Sequence, residues 1–489
     1  MKANCYNPHT PYGLCLVSLT YLRLVLCLLL LCSLPVMAQS SNGINKWQFP
    51  HKPDVQASQP SNLPFYPSRA QTGNRPLTPD MFEDPAICQG CHPVIYQQWK
   101  GSNMANSWDD PIYKSLFKRA SKATNGEIDN FCMACHSPIG MTSMKLTGAD
   151  IDSERHIPGV TCDVCHNISA ITGHDNAAYV LTPDKNKPTK LGPHADAASP
   201  YHQTAYSDLH TRSEICATCH NVTHPFNSTP IERTYDEWQE SVYNEQGIQC
   251  QDCHMTPGPG TNNNPGKSAV MGKERKHVYS HDFSGGNSTL HEYFGAKESA
   301  ELARAMLRSA AKMEFIDLPK TVTKGDTVTI KVKVTNIGAG HKLPTGFPEG
   351  REVWVDFKAT SSNMQVYRSG EVIDGHTEKN TRNFKVWLGD ANGNVVDLNV
   401  WEVDRVLADT RIPPKGFAIV DYTFVVPDNA GEHLTLNATL NYWPFSQHLI
   451  DELLGKGKLK VDIVEMTTAS ALITIAPASQ QHTLITTTH

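Results

Sequence analysis

Cys88-Gln-Gly-Cys91-His92, Cys132-Met-Ala-Cys135-His136, Cys162-Asp-Val-Cys165-His166, Cys216-Ala-Thr-Cys219-His220 and Cys250-Gln-Asp-Cys253-His254 are five copies of one pattern. Cys-x-x-Cys-His is the attachment signature of a c-type haem. The two thiols add to the porphyrin vinyl groups, and the histidine that follows is carried beneath the macrocycle to ligate iron. The pattern therefore predicts five covalently attached c-type haems, with His92, His136, His166, His220 and His254 as proximal ligands. A Cys-x-x-Cys pair is also half of a structural zinc site or a thioredoxin-like redox pair. Neither needs a histidine beside the second cysteine, and a disulfide framework does not need the spacing. The chain has 14 cysteines: ten lie in the motifs, and Cys5, Cys15, Cys27 and Cys32 lie in the extreme N-terminal segment.

That segment reads as a signal peptide over residues 1–38. Lys2 and Arg23 are basic, Leu24 to Leu34 is apolar, and Val36-Met37-Ala38 offers a small-residue cleavage site. The apolar core is short for a membrane span, so none is expected after cleavage; an uncleaved anchor is the alternative. Leucines before Cys32 do not suit lipoprotein processing. Haem attachment outside the cytoplasmic membrane agrees with a periplasmic protein or one exported to the cell surface. Removing a leader with two basic residues and no acidic ones moves the formal charge from −6 to −8. Haem propionates add further negative charge. Nucleic acid and anionic membrane surfaces are thereby excluded as expected partners. Basic patches on redox proteins suit the chain better.

Residues 39–83 are punctuated by Pro50, Pro53, Pro60, Pro64, Pro67, Pro76 and Pro79 and read as a linker or surface strap. Residues 84–291 carry the motifs on a loop-rich chain with short helices. Asp110-Pro111 is an N-cap followed by proline at the first helical position. Ile112, Tyr113, Leu116, Phe117 and Ala120 continue it, and Asn125-Gly126 ends it. Ser213 reads as the cap of a short helix carrying Cys216 and His220. Ile231, Tyr235, Trp238 and Val242 form an apolar stripe. Residues 292–313 read as a bridging helix. Over 314–475 the period becomes two, as in Thr327–Val334, Val353–Phe357, Ala418–Val426 and Leu434–Tyr442, with turn signals at Asn392-Gly393 and Pro413-Pro414. Residues 476–489 read as a flexible tail. The expected fold class is α+β and multidomain: a loop-rich, mainly α multihaem module followed by an immunoglobulin-like β-sandwich.

The ligand opposite each proximal histidine decides what a haem does. Two axial ligands suit electron transfer, one open face suits small-molecule chemistry, and methionine raises the potential relative to histidine. His174, shortly after the third motif, is the nearest option for a fifth distal ligand, and His277 is close enough to His281 to replace it. His341, in the glycine-rich stretch from Gly338, could reach a haem edge from the β-domain but is read first as a turn histidine bonded to backbone. Asp390-Ala-Asn-Gly-Asn394 lacks the later glutamate of a calcium loop and reads as a hairpin turn.

The stretches W-K-G-S-N-M-A from Trp99, S-P-Y-H-Q-T-A-Y-S-D-L-H from Ser199, I-E-R-T-Y-D-E-W from Ile231 and H-D-F-S-G-G-N from His281 carry a resemblance. With the five motifs, they are similar to multihaem cytochromes c of the cytochrome c-554 and hydroxylamine oxidoreductase lineage, over roughly residues 84–290. G-A-G-H-K-L-P-T-G from Gly338 recurs in exported cytochromes with a C-terminal β-domain. The resemblance implies His202, His210 and His281 as distal ligands. Relatives often read W-x-x-S-M-H-A after the first motif, with a distal histidine; the matching residue here is Met104, which the resemblance offers as a thioether ligand.

The function expected first is an exported electron carrier working between redox partners such as a quinol dehydrogenase, other cytochromes or terminal reductases. The second is a haem oxidoreductase acting on a small nitrogen or sulfur oxyanion at a five-coordinate haem, with Arg155, His156, Arg212 or Lys276 in its pocket. The third is a subunit of a larger electron-conducting assembly. In each, the β-domain edges offer a protein docking surface.

Overall fold

The computed structural model describes residues 62–347 and 350–477. The leader, the first part of the strap and nearly all of the tail lie outside the described residues. All described residues fall in one compact unit.

Residues 62–83 lie along the first half of the molecule. Gln71 bridges Val180, and Ser68, Ala70 and Leu77 are buried. The motif-bearing half follows, built from short helices and two-stranded ribbons. Helix α1 spans Pro93–Lys100, α2 Pro111–Ala123, α3 Asp129–His136 and α4 Thr234–Gln239. The α2 start follows from its sequence. The Asp110 carboxylate accepts a hydrogen bond from the Ile112 N–H, a cap worth about 1 kcal/mol. Asn125 and Gly126 then take positive φ, 50° and 81°, and turn the chain away.

The apolar stripe from Ile231 to Val242 is spread over three elements. Ile231 sits in a short strand, Tyr235 and Trp238 lie on α4, and Val242 begins a separate turn of helix. The bridging run also divides, into α5 (Ser288–Tyr293) and α6 (Lys297–Ala310), at Gly295 with φ 72°. It ends at Ala310, so Lys312 belongs to a strand.

The second half is strand-rich: β1 Ala311–Ile316, β2 Thr321–Thr323, β3 Thr327–Asn336, β4 Glu352–Ser361, β5 Met364–Ser369, β6 Asn383–Phe384, β7 Val386–Gly389, β8 Val395–Val396, β9 Arg405–Asp409, β10 Phe417–Val425, β11 His433–Trp443 and β12 Val464–Ala476. One sheet runs β5-β4-β11-β12-β2, with β6 also on β4. A second runs β10-β3-β1, and a third β8-β7-β9. Alternate residues of the first two meet in one core: Val328, Ile330, Val332 and Val334 from β3, with Val353, Val355 and Phe357 from β4. This is what period-two hydrophobicity produces when one face of each strand is covered. The Asp390–Asn394 turn joins β7 to β8 as a hairpin; the Asp390 carboxylate accepts from the Asn392 and Asn394 N–H groups.

The two halves share buried surface. Trp354 and Trp443 pack with Ile112 of α2 and Leu290 of α5, while Ile231 packs against Val386 and Leu388. Among the described residues no helix is long and apolar enough to cross a membrane.

Candidate functional site

The spacing of the motif is the spacing of one helical turn. Positions i, i+3 and i+4 share a helix face, so both thiols and the imidazole project to one side. The backbone shows the turn: the N–H of His92 donates to the Cys88 carbonyl (2.8 Å), His166 to Cys162 (3.0 Å), His220 to Cys216 (2.9 Å) and His254 to Cys250 (2.9 Å). The second motif lies wholly within α3.

The imidazoles are oriented alike. The Nδ1 of His92 donates to the Ser268 carbonyl (2.6 Å), that of His136 to Ser107 (3.2 Å), that of His166 to Leu191 (2.6 Å) and that of His254 to Ser284 (2.6 Å). His220 differs, with its Nδ1 facing the Glu232 carboxylate at 3.8 Å. A proton held on Nδ1 leaves Nε2 as a lone-pair donor, which is the arrangement a metal-ligating histidine needs. Burial lowers the pKa of His136 to about 4 and lowers those of His166 and His254, which keeps these rings neutral. Burial opposes charge on His220, yet Glu232 outweighs it and raises the pKa to about 9.

None of the ten described cysteines is in a disulfide. Burial pushes the Cys132 and Cys165 thiols up to about 12, while the neighbouring Cys135 and Cys216 thiols lower Cys219 and Cys250 to about 7. Among the described residues no group of three or more His, Cys, Asp or Glu side chains gathers as a ligand set for a bare ion. The donor set fits a group that takes two thioethers and one imidazole per turn.

The motifs are not isolated along the fold. The Cys88 thiol has Cys162 as its strongest electrostatic neighbour, Cys135 has Cys219, and Cys216 has Cys250. Motif one therefore adjoins motif three, two adjoins four, and four adjoins five. Ser213 explains the last contact. It stands at the N-cap of its helix, but its side chain makes no capping bond there; its hydroxyl donates to the Gln249 side chain and accepts from the Cys250 N–H, both at 2.9 Å. That hydroxyl ties the fourth motif to the fifth, and the helix at Glu214–Ala217 ends before His220.

The distal positions read from the sequence fall in different places. The His281 ring lies 6.5 Å from the His166 ring with planes 21° apart, its Nδ1 donating to the Tyr279 carbonyl at 3.0 Å. His210 lies 5.6 Å from His166; its Nε2 donates to the Cys165 carbonyl at 2.9 Å, and its buried Nδ1 has no partner among the described residues. Two imidazoles sharing a metal at about 2 Å each have ring centres about 6 Å apart. Both rings are near that separation from His166, and a metal held there would have room for only one of them. His202 bonds the Gln203 carbonyl beside it, and His174 is exposed with its ring 4.9 Å from Tyr235. Met104 is half-buried. Its carbonyl accepts from Val160 N–H at 3.0 Å and Trp99 donates to the Val160 carbonyl at 2.8 Å, so this segment docks on the lead-in to the third motif. His277 has a buried Nδ1 without a partner. The His341 ring lies 6.2 Å from His254 with planes 16° apart, where the sequence favoured a turn histidine over one reaching a haem edge. Tyr113, not singled out as a site residue, stacks on His136 at 3.9 Å and 6°.

Residues 87–167, which include the first three motifs, match the family model described as "Cytochrome c554 and c-prime". With the fold, this match supports a multihaem cytochrome c, a class that binds c-type haem covalently and transfers electrons. The fold is similar to that of the penta-heme cytochrome c552 from Thermochromatium tepidum, at 18% identity and a TM-score of 0.57, covering 81% of this chain and 100% of that one. Two smaller matches, each covering 34% of this chain, are the CARDB domain of PF1109 from Pyrococcus furiosus and the sporulation control protein Spo0M from Bacillus subtilis. The first is 16% identical over 94% of its own chain and the second 12% over 49%; at TM-scores of 0.16 neither carries an argument. No curated protein matches the sequence.

Proposed function

We propose that the protein is an exported c-type cytochrome that carries electrons through five covalently bound haems between redox partners. The observation that supports this best is the contiguity of the motifs, through Cys88 with Cys162, Cys135 with Cys219 and Cys216 with Cys250. Attachment points this close put neighbouring macrocycles within electron-transfer distance. Bound haem supplies a one-electron couple at each iron. The chain's part is to fix each imidazole through Nδ1, to bury it, and to supply distal ligands from His281, His210, His202, His174 and Met104. Since Cys88 adjoins Cys162, whichever of His210 and His281 does not face His166 is well placed for the first site.

The strand-rich half, with two sheets over one core, is read as an immunoglobulin-like sandwich. The acidic chain suits basic faces on a quinol dehydrogenase, another cytochrome or a terminal reductase, in the periplasm or at the cell surface. Protein-film voltammetry with a haem count tests the reading. Five haems per chain and reversible signals unchanged by nitrite, hydroxylamine or sulfite are expected; a catalytic wave with any of them would overturn it.

One observation favours the enzyme reading as an alternative. Among the described residues no histidine ring stacks opposite His92, His136 or His220, and an iron left with one open face there could take a small oxyanion.

A further inference from the structure

The stretch from Gly338 to Thr345 enters the motif-bearing half from the strand-rich one. Gly338 passes so close to α6 that a Cβ on it would come within 2.4 Å of the Ser309 carbonyl. Gly340 lies against Trp238 and Tyr243. Asn336, fully buried, donates from its side chain to the His341 carbonyl at 3.0 Å and to the Ile412 carbonyl at 3.2 Å. The next residue is fixed as firmly. The Lys342 N–H donates to Glu237 of α4 at 3.1 Å, and its ammonium pairs with Asp409 at 2.7 Å. Arg411 joins the same group, 2.8 Å from Glu237 and 2.9 Å from Asp409, and Thr345 donates to Glu237 at 3.1 Å. A buried ionic group is costly to assemble and costlier to break, so it is a fixed mount.

What it mounts is the His341 ring. Its Nδ1 donates to the Lys342 carbonyl at 2.9 Å, and among the described residues its Nε2 makes no hydrogen bond. Opposite, the His254 Nδ1 donates to the Ser284 carbonyl, and among the described residues its Nε2 likewise makes none. The rings are 6.2 Å apart and 16° from parallel, the separation of two imidazoles on one metal at about 2 Å each. A turn histidine bonded to backbone would explain the Nδ1 contact alone. It leaves the parallel placement of the ring beside a motif histidine without a reason.

We infer that His341 is the second axial ligand of the fifth haem site, opposite His254, so that this site is completed by the strand-rich half. The inference rests on the multihaem reading above. It makes that half part of the redox module as well as a docking surface.

The test uses the full-length haem-loaded protein, with a haem count and low-temperature EPR of wild type, His341→Ala and His341→Met. His341→Ala is expected to keep five haems while one of the five turns from low-spin to high-spin ferric, and added imidazole should restore it. His341→Met should keep all five low-spin and raise one potential; it decides the matter if the alanine variant fails to assemble. Five haems whose spin states and potentials ignore both substitutions would overturn the inference alone. A wild-type chain without covalent haem would overturn the multihaem reading with it.

Discussion

Arg411, beyond β9 in the strand-rich half, pairs with Glu237 on α4 of the motif-bearing half at 2.8 Å, the two side chains 1% and 5% exposed. The pair is a joint between the halves, and Asp409 and Lys342 complete its charge balance. Removing one partner strands the others in a low-dielectric interior. Arg411→Met is therefore expected to cost about 3–5 kcal/mol, read by guanidinium unfolding followed in the Soret band. A loss under about 1 kcal/mol would show the joint to be solvated.

Tyr113 stacks on His136, and its buried hydroxyl has no hydrogen-bond partner among the described residues. Replacing an unsatisfied hydroxyl by hydrogen removes a penalty, so Tyr113→Phe should be neutral or stabilising by about 1 kcal/mol. Tyr113→Ala removes the ring and should cost about 3–5 kcal/mol. If the phenylalanine variant loses more than about 2 kcal/mol, the hydroxyl is bonded in the loaded protein.

Burial lowers His136, His210, His281 and His341 to about 4, against an ordinary value near 6.5. Between those values the unfolded chain binds protons that the native chain does not, so stability falls as pH falls from about 6.5 to 4 and is flat in these groups above. Iron ligation has the same sign, since it needs the neutral ring. The guanidinium midpoint should drop between pH 7 and pH 5. An unchanged midpoint at pH 5 would count against four buried neutral imidazoles.

Glu232 is the one carboxylate facing a motif imidazole among the described residues, 3.8 Å from His220 Nδ1. A carboxylate partner makes a histidine ligand more electron-rich and favours the oxidised metal. Glu232→Gln should raise one potential by on the order of 50 mV, the one-electron equivalent of about 1 kcal/mol, without loss of haem. Potentiometric titration of the variant against wild type reads this directly; no shift would mean that Glu232 is screened from the site.

Legibility followed sequence separation. The attachment turns follow from Cys-x-x-Cys-His alone, since residues three and four apart share a helix face. The start of α2 follows from Asp110-Pro111 and its end from Asn125-Gly126, and the long strands follow from alternation between Thr327 and Tyr442. Local chemistry decides all of these. The Ser213 hydroxyl was misread because its partner, Cys250, is distant in sequence. The stripe from Ile231 to Val242 has helical spacing, yet Ile231 is drawn into a strand against Val386 and Leu388 of the other half. His341 looked like a turn residue for the same reason: nothing near Gly338 reveals that Glu237, Asp409 and Arg411 converge to hold it beside His254. The Nδ1 contacts that orient the motif imidazoles end mostly on distant backbone carbonyls, which carry no sequence signal.

The electron-carrier account requires every iron to be capped on both faces, and low-temperature EPR of the oxidised protein measures that most directly. Five low-spin ferric haems, unmoved by nitrite, hydroxylamine or sulfite, are the predicted result. One well-defined high-spin haem whose signal shifts on adding any of the three would contradict it and make the protein an enzyme.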